Sequence, residues 1–167
     1  MKGLKGKSVV ADAGPLIGLA VIGATSWLKS MFGKIMIPEQ VAVELRFDSG
    51  MPGSQELHKA HQEGWLIVVP VYDIPEHLVA AIDGGEAAAI TLAKNTNALL
   101  LIDENRGRMV ARKHGVTVFG SGAVLLKAME LQIIPRITPY LDALQRSGYR
   151  LSATLQNELL KRAGECT

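Results

Sequence analysis

The sequence predicts an α/β fold with a mostly parallel, five-stranded sheet flanked by helices. Segments typical of strands alternate with segments typical of helices along the chain, as in β-α-β units. The strand segments are nearly continuous apolar runs, which is typical of strands covered on both faces. A length of 167 residues, with 48% apolar and 20% charged residues, suits one soluble domain. We therefore expect a single domain over residues 1–167, with a helical extension over about residues 136–167.

The five predicted strands are short apolar segments, most of them rich in Val, Ile or Leu, bounded by charged residues, Gly or Pro. They cover residues 8–12, 34–37, 66–71, 98–102 and 116–119. A parallel sheet places its ligands beyond the carboxyl ends of its strands, so the residues after each strand are the first candidates for a site.

Helices are predicted wherever apolar residues recur at helical spacing between these strands. Pro38 is well placed for a first helical position, and Asp83 followed by Glu86 forms a capping-box pattern. Gly115 and Pro135 mark the ends of two further helices. The predicted helices cover residues 15–22, 26–32, 38–47, 55–63, 83–95, 104–114, 122–131, 139–147 and 153–163.

Charge is distributed unevenly along the chain. The net charge is +2 overall, but it is +4 over residues 1–35, −8 over residues 36–104 and +6 over residues 105–167. The total is too small to indicate a nucleic-acid-binding protein by itself. An acidic middle between two basic flanks nevertheless needs an explanation.

The amino terminus resembles a secretion signal, because Lys2, Lys5 and Lys7 precede an apolar run. Asp12 and Pro15 interrupt that run, and a carboxylate opposes insertion into a membrane. The single cysteine, Cys166, excludes a disulfide within the chain and favours a reducing compartment. We expect a cytoplasmic protein with no membrane partner.

Four acidic residues occupy positions where functional side chains are expected. Asp12 ends the first predicted strand and Asp103 follows the fourth, so both lie at the carboxyl edge of the sheet. Glu44 is one helical turn from an apolar residue of its helix, and Glu86 is aligned with Ile90 on the apolar stripe of another. Acids on buried faces are unusual, because an unpaired buried carboxylate is costly.

If these four acids converge, their mutual repulsion favours a bound cation. Oxygen ligands without His or Cys favour Mg²⁺ or Mn²⁺. Such an ion can activate water and stabilise the leaving oxygen of a phosphodiester, and the basic flanks suit a polyanionic substrate.

Each acid also has a structural interpretation. Glu86 and Asp83 form a capping box in that interpretation, Asp103 caps the helix that follows it, and Glu44 lies on an exposed helix edge. A structural role is hardest to assign to Asp12, because capping leaves its apolar strand context unexplained.

At these residues the chain resembles the PIN-domain family over nearly its whole length. The matching stretches are VVADAGPLIGLA, IPEQVAVEL, DGGEAAAITLA, LLLIDENRGRMVARKHGV and FGSGAVLLKAMELQIIP. They look most like the branch close to VapC-type toxins. The resemblance implies a three-layer fold and a metal-dependent ribonuclease site of Asp12, Glu44, Glu86 and Asp103, which would hold Mg²⁺ or Mn²⁺.

The resemblance also implies partners: an RNA substrate and, if the toxin analogy holds, a small antitoxin that occludes the site. Many members of the family carry Ser or Thr shortly after the first aspartate, whereas this chain has Ala13 and Gly14. That difference motivates an alternative, a catalytically silent RNA- or protein-binding module on the same fold. A phosphotransfer domain with Asp12 as nucleophile is a weaker alternative, because a second acid two residues later is missing.

Other candidates are basic or apolar. Four basic residues after Asp103 are candidates for RNA phosphate contacts or, alternatively, for a solvated helix face: Arg106, Arg108, Arg112 and Lys113. His58 and His61 lack further zinc ligands nearby. Gly84 and Gly85 could hold a phosphate at a helix start. The apolar side chains of Leu125, Leu126, Met129 and Leu131 suit the core or a subunit interface, and the two closing helices suit a homodimer or a partner.

Overall fold

The computed structural model describes residues 6–165, so the candidates Lys2, Lys5 and Cys166 lie outside the described residues. One sheet organises the chain. Its strands are β1 (Val9–Ala11), β2 (Ile35–Pro38), β3 (Leu66–Val69), β4 (Leu99–Leu101) and β5 (Val118–Phe119). They are all parallel, in the order β3-β2-β1-β4-β5. The predicted α/β class and five-stranded sheet are therefore confirmed.

The register places the ends of β1 and β4 side by side at the centre of the sheet. Val9 pairs with Ile35 on one side and with Leu99 on the other, and Ala11 pairs with Leu101. The chain leaves β1 toward β2 and later returns on the other side of β1 as β4. Strand order reverses between these two strands, and such a point is where parallel sheets place their ligands.

Ten helices surround the sheet within residues 6–165. They are α1 (Ala13–Val21), α2 (Thr25–Phe32), α3 (Glu39–Leu45), α4 (Ser54–Gln62), α5 (Glu76–Ala81), α6 (Gly84–Thr96), α7 (Asn105–Lys113), α8 (Ser121–Glu130), α9 (Thr138–Arg146) and α10 (Ala153–Ala163).

The helix predictions missed α5 and misplaced Pro38. The α5 helix has six residues after Pro75 and only Leu78 fully buried, so no apolar stripe marks it in the sequence. Pro38 is the last residue of β2 and the N-cap of α3, with an extended ψ of 158°, rather than the first helical residue. The two roles fit a proline equally well, because its fixed φ suits a strand end and a helix start.

The core lies around β1, β4 and α6. All three residues of β1 and of β4 are buried. Every residue from Gly85 to Ala93 in α6 is buried as well, and the small side chains of this helix allow it to pack closely across the central strands. This packing fixes the start of α6 beside the ends of β1 and β4.

The last helix packs against α8 through one close contact. A Cβ atom added at Gly122 would lie 2.7 Å from Cδ1 of Leu159, so the glycine makes room for that leucine. Leu159 is buried, and α10 is thereby held near the end of β5.

No single helix within residues 6–165 has the length and hydropathy of a membrane span. Within that range, only α1 and α2 taken together meet both criteria, and they are bent by 120° relative to each other.

Candidate metal centre

Asp12 occupies the junction between the sheet and the first helix. Its backbone N–H donates to the carbonyl oxygen of Leu101 at 2.9 Å, which fixes the residue between β1 and β4. The side chain does not cap α1. It is only 8% exposed, and its Oδ1 atom is fully buried without a hydrogen-bond partner. A buried carboxylate oxygen without a partner is costly unless a proton or a cation compensates it.

Glu86 is fixed at the start of α6 by the predicted capping box. The N–H of Glu86 donates to Oδ1 of Asp83 at 2.8 Å, and the N–H of Asp83 donates back to Oε2 of Glu86 at 3.3 Å. Glu86 is 6% exposed, so its carboxylate faces inward while it caps the helix. The structural and the functional interpretations of this residue are therefore compatible.

Glu44, on α3, is the third member of this group of acids, and Asp12, Glu44 and Glu86 together are called the acidic pocket below. The residue is exposed, but its carboxylate lies over the backbone of Gly85, where an added Cβ atom would collide with Oε1. The expectation of an exposed helix edge is thus correct for the residue as a whole. Its carboxylate nevertheless lies beside the first turn of α6.

The pKa values of these acids reflect their shared surroundings. Burial raises the pKa of Asp12 to about 7; the Ala13 amide offsets part of this, and the charges of Glu86, Asp83 and Glu44 add to it. Burial, followed by the charge of Asp83, raises the pKa of Glu86 to about 7. Burial and Asp83 also raise the pKa of Glu44. The structure therefore brings three of the four predicted acids close enough to repel one another.

Gly85→Ala is expected to reduce any metal-dependent activity without unfolding the protein. The new methyl group would displace the carboxylate of Glu44, which is exposed and flexible, while alanine favours the helix by up to about 1 kcal/mol. Thermal unfolding and metal-dependent activity measure the two effects. Gly84→Ala is the matched control, because a Cβ atom added there would have no other atom within 4 Å. Equal activity in the two variants would show that the position of Glu44 is unimportant.

Asp103 lies next to this pocket, but its carboxylate already has several donors. The N–H and the hydroxyl of Ser121 donate to its Oδ1 and Oδ2 at 2.8 and 2.5 Å, and the hydroxyl of Tyr149 donates to Oδ2. Asp103 does not cap α7, whose N-cap is Glu104, so that interpretation is wrong. These bonds hold the carboxylate in one orientation at the end of β4.

Tyr149 is the main site residue that sequence reasoning missed. It follows α9, and its ring packs on α1, where a Cβ atom at Gly18 would lie 2.9 Å from the ring. Burial, together with the neighbouring charge of Asp103, raises the pKa of the hydroxyl, which therefore stays neutral and donates. The charge of Asp12 also raises the pKa of this hydroxyl.

Tyr149→Phe is expected to lower stability by about 1–2 kcal/mol, because a hydrogen bond to a charged group is lost. We also expect about a tenfold loss of any metal-dependent activity, mainly in kcat, because Asp103 loses a hydrogen-bond donor that orients its carboxylate. Denaturant unfolding and steady-state kinetics measure the two effects. Tyr72→Phe, at a position that is 75% exposed, is the control. An active Tyr149→Phe variant with unchanged kcat would remove Tyr149 from the site.

The chemistry of these residues fits a hard divalent cation. Asp12 offers a buried oxygen without a partner, and Glu86 and Glu44 offer oxygens whose charge is disfavoured in the absence of a cation. Within the described part of the chain, no three His, Cys, Asp or Glu side chains are arranged closely enough to hold an ion as they stand.

The predicted basic residues after Asp103 separate into two groups. Arg108 is half-buried and donates to the Ile102 carbonyl at 2.9 Å, and burial followed by the charge of Arg112 lowers its pKa. Arg106 instead donates to the carbonyl of Ala81 at 2.7 Å on an exposed face, and Lys113 is exposed at the end of α7. Of the four predicted basic residues, Arg108 and Arg112 line a cavity to which Asp103 also contributes.

The remaining candidates have structural environments. His58 and His61 stack on Phe47 at 5.6 and 5.4 Å between ring centroids. Leu125 is fully buried in the core, whereas Leu131 is 49% exposed.

Residues 8–165 match the family model DUF3368, described as a PIN domain. A search of curated proteins finds no match. A PilT N-terminus domain protein from the archaeon Sulfolobus solfataricus is similar in structure, with a TM-score of 0.50 and 17% identity over 73% of this chain and 93% of that one. A domain of a functionally unknown protein from Methanocaldococcus jannaschii gives a TM-score of 0.46 and 25% identity, over 68% and 90% of the two chains.

Proposed function

This chain belongs to the PIN-domain family, whose members are generally nucleases, and from that premise we propose that it is a metal-dependent endoribonuclease that hydrolyses RNA phosphodiesters. One observation carries the proposal. The buried Oδ1 atom of Asp12 has no hydrogen-bond partner, and it lies in a pocket where acids raise one another's pKa. A pocket of this kind favours a cation, and a cation beside basic residues favours a phosphodiester substrate.

The residues that would hold Mg²⁺ or Mn²⁺ are Asp12, Glu44 and Glu86. Asp103 would support the ion through water, because Ser121 and Tyr149 already donate to both of its oxygens. When bound, the ion would supply Lewis-acid stabilisation of the charge that develops on the phosphoryl and leaving oxygens.

The chain's own residues position the substrate and the acids. Arg108 and Arg112 line the cavity next to Asp103, where they would bind phosphates on either side of the bond to be cleaved. The Ser121 and Tyr149 donors hold Asp103 in place during this binding, so that its charge faces the same position in every turnover.

The proposal is tested by incubating the purified chain with single-stranded RNA and Mg²⁺ or Mn²⁺. We expect cleavage that stops on addition of a chelator and returns when the ion is restored in excess. A chain that cleaves no RNA with any divalent ion would contradict the proposal, provided that its thermal unfolding shows a folded protein.

A catalytically silent RNA- or protein-binding module is the second candidate. Two observations favour it: the spacing of the acids within residues 6–165, and Ala13 and Gly14 in place of a hydroxyl residue after Asp12. RNA affinity that is independent of divalent ions, with no cleavage, would be its signature.

We also propose that the chain acts in the cytoplasm as the toxin of a toxin–antitoxin pair and forms a homodimer. The matching sequence stretches and the single cysteine support this. We expect growth to arrest when the chain is expressed and to continue when the Asp12→Asn variant is expressed instead. In solution we expect a mass of twice 17.9 kDa.

A further inference from the structure

A second cavity adjoins the acidic pocket and is unlike it in character. It has a volume of about 590 Å³ and lies between α7, the end of β5, α8 and α10. Asp103 contributes to its wall, so the cavity opens beside the proposed site of cleavage. Four arginines line it: Arg108, Arg112, Arg150 and Arg162.

No ion pair among the described residues neutralises these arginines. In the described range 6–165, none of the four forms an ion pair within 4.0 Å. Arg112 lies close enough to Arg108 to repel it, and Asp103 is the acid that offsets this repulsion. A concave surface with several unpaired guanidinium groups attracts a multivalent anion, and guanidinium matches phosphate oxygens in geometry.

Part of the cavity wall is apolar. Leu151, Leu155 and Leu159 line it together with Phe119 at the end of β5. Leu155 is 41% exposed, so a ligand in the cavity can contact its side chain. A ligand that fits this cavity therefore needs a negatively charged group to contact the arginines and a flat or apolar group to contact the leucines.

We infer that this cavity is a nucleotide subsite that holds one nucleotide of single-stranded RNA beside the scissile phosphate. The phosphate of that nucleotide binds Arg150 and Arg162, and its base packs on Leu155. The volume falls within the range of small-molecule sites and accommodates a nucleotide. The inference rests on the proposed function, because it names part of the substrate of that site.

The segment that follows α9 supplies the residues that contact the nucleotide in this proposal. Arg150, Leu155 and Arg162 all belong to it, and the contact between Leu159 and Gly122 fixes it on the domain. A base can reach the apolar wall only when it has left a stacked helix, so the subsite selects single-stranded RNA over duplex.

Binding is measured separately from cleavage, with the Asp12→Asn chain in the presence of a chelator. The readout is the fluorescence anisotropy of a labelled 12-nucleotide RNA at several salt concentrations. The double variant Arg150→Ala/Arg162→Ala is expected to bind about tenfold more weakly, with a salt slope lower by roughly 0.7 for each lost phosphate contact. Leu155→Ala is expected to weaken binding at an unchanged salt slope.

Lys161→Ala is the matched control. Lys161 precedes Arg162 on α10 and is equally exposed and equally charged, but it does not line the cavity. We expect its RNA affinity to stay within twofold of the parent. An equal loss of affinity in this control and in the arginine variant would overturn the subsite, because general charge would then explain both results.

Competition identifies the class of ligand. AMP is expected to displace the RNA at concentrations where inorganic phosphate does not. If phosphate competes as well as AMP, the cavity is a general anion site. If poly-glutamate competes as well as AMP, the cavity binds an acidic protein segment. Either result overturns the inference. A chain that binds RNA as described but never cleaves it would leave the subsite standing and remove the proposed nuclease activity.

Discussion

Asp12→Asn is expected to lower RNA cleavage by more than about a hundredfold while leaving the protein folded. Substitution of a residue that only hydrogen-bonds to a metal ligand typically lowers activity or metal affinity 10–100-fold. The loss is expected to be larger for Asp12, because we propose that it binds the ion itself. The backbone N–H that fixes residue 12 to Leu101 is retained in the variant. Cleavage rates with Mg²⁺ and Mn²⁺, measured beside thermal unfolding, check both parts of the expectation.

The same substitution is expected to stabilise the metal-free protein above pH 7. The pKa of Asp12 is raised to about 7 by burial, so folding disfavours its charged form. Between the ordinary pKa of aspartate and pH 7, the folded state holds a proton that the unfolded state has released. The free energy of unfolding therefore falls by a few kcal/mol as the pH rises through this window. Asparagine does not ionise, so the variant does not lose this stability.

Asp142→Asn, at an exposed position of α9, is the control and is expected to change neither cleavage nor stability. An Asp12→Asn variant that cleaves RNA at the rate of the parent would exclude Asp12 from the mechanism.

Divalent cations are expected to raise the melting temperature strongly at pH 8 and only slightly at pH 5. The pKa values of both Asp12 and Glu86 are raised to about 7, so protons compete with the ion below that pH. At an ion concentration 100 times the dissociation constant, the stabilisation is about 2.7 kcal/mol, and this figure already includes relief of the repulsion between the acids. Thermal unfolding with Mn²⁺ or with NaCl of equal ionic strength measures the difference.

The Asp12→Asn variant supplies the control for this experiment, since it should lose most of the Mn²⁺-dependent shift at pH 8. A shift of the same size in that variant would place the ion elsewhere. A shift that does not depend on pH would show that the acids do not release protons when the ion binds.

The fold and three of the acids follow from local patterns in the sequence. Apolar runs predict the strands, because β1 and β4 are buried on both faces. The capping pattern of Asp83 and Glu86 predicts the start of α6. Parallel strands bring their carboxyl ends to one edge, so the proximity of Asp12 and Asp103 could be predicted without coordinates, whereas Glu86 is predicted from the apolar stripe of its helix.

The partners of Asp103 could not be predicted in this way. Tyr149 lies 46 residues after Asp103, outside any regular element, and it reaches the acid only because Gly18 leaves space for its ring. Nothing in the spacing of a lone tyrosine indicates such a contact. Glycine at position 18 is a weak signal, because glycine inside a helix costs about 1 kcal/mol relative to alanine and needs a packing reason.

The contact between Tyr149 and Asp103 joins a site that begins at residue 12 and is complete only at residue 149. During synthesis, a ribosome must therefore extrude the polypeptide through residue 149 before both aspartates take up their final arrangement. A nascent chain that has passed β5 already contains every acid of the pocket, yet Asp103 still lacks one of its donors. The residue that completes the site is thus synthesised after the last strand of the sheet.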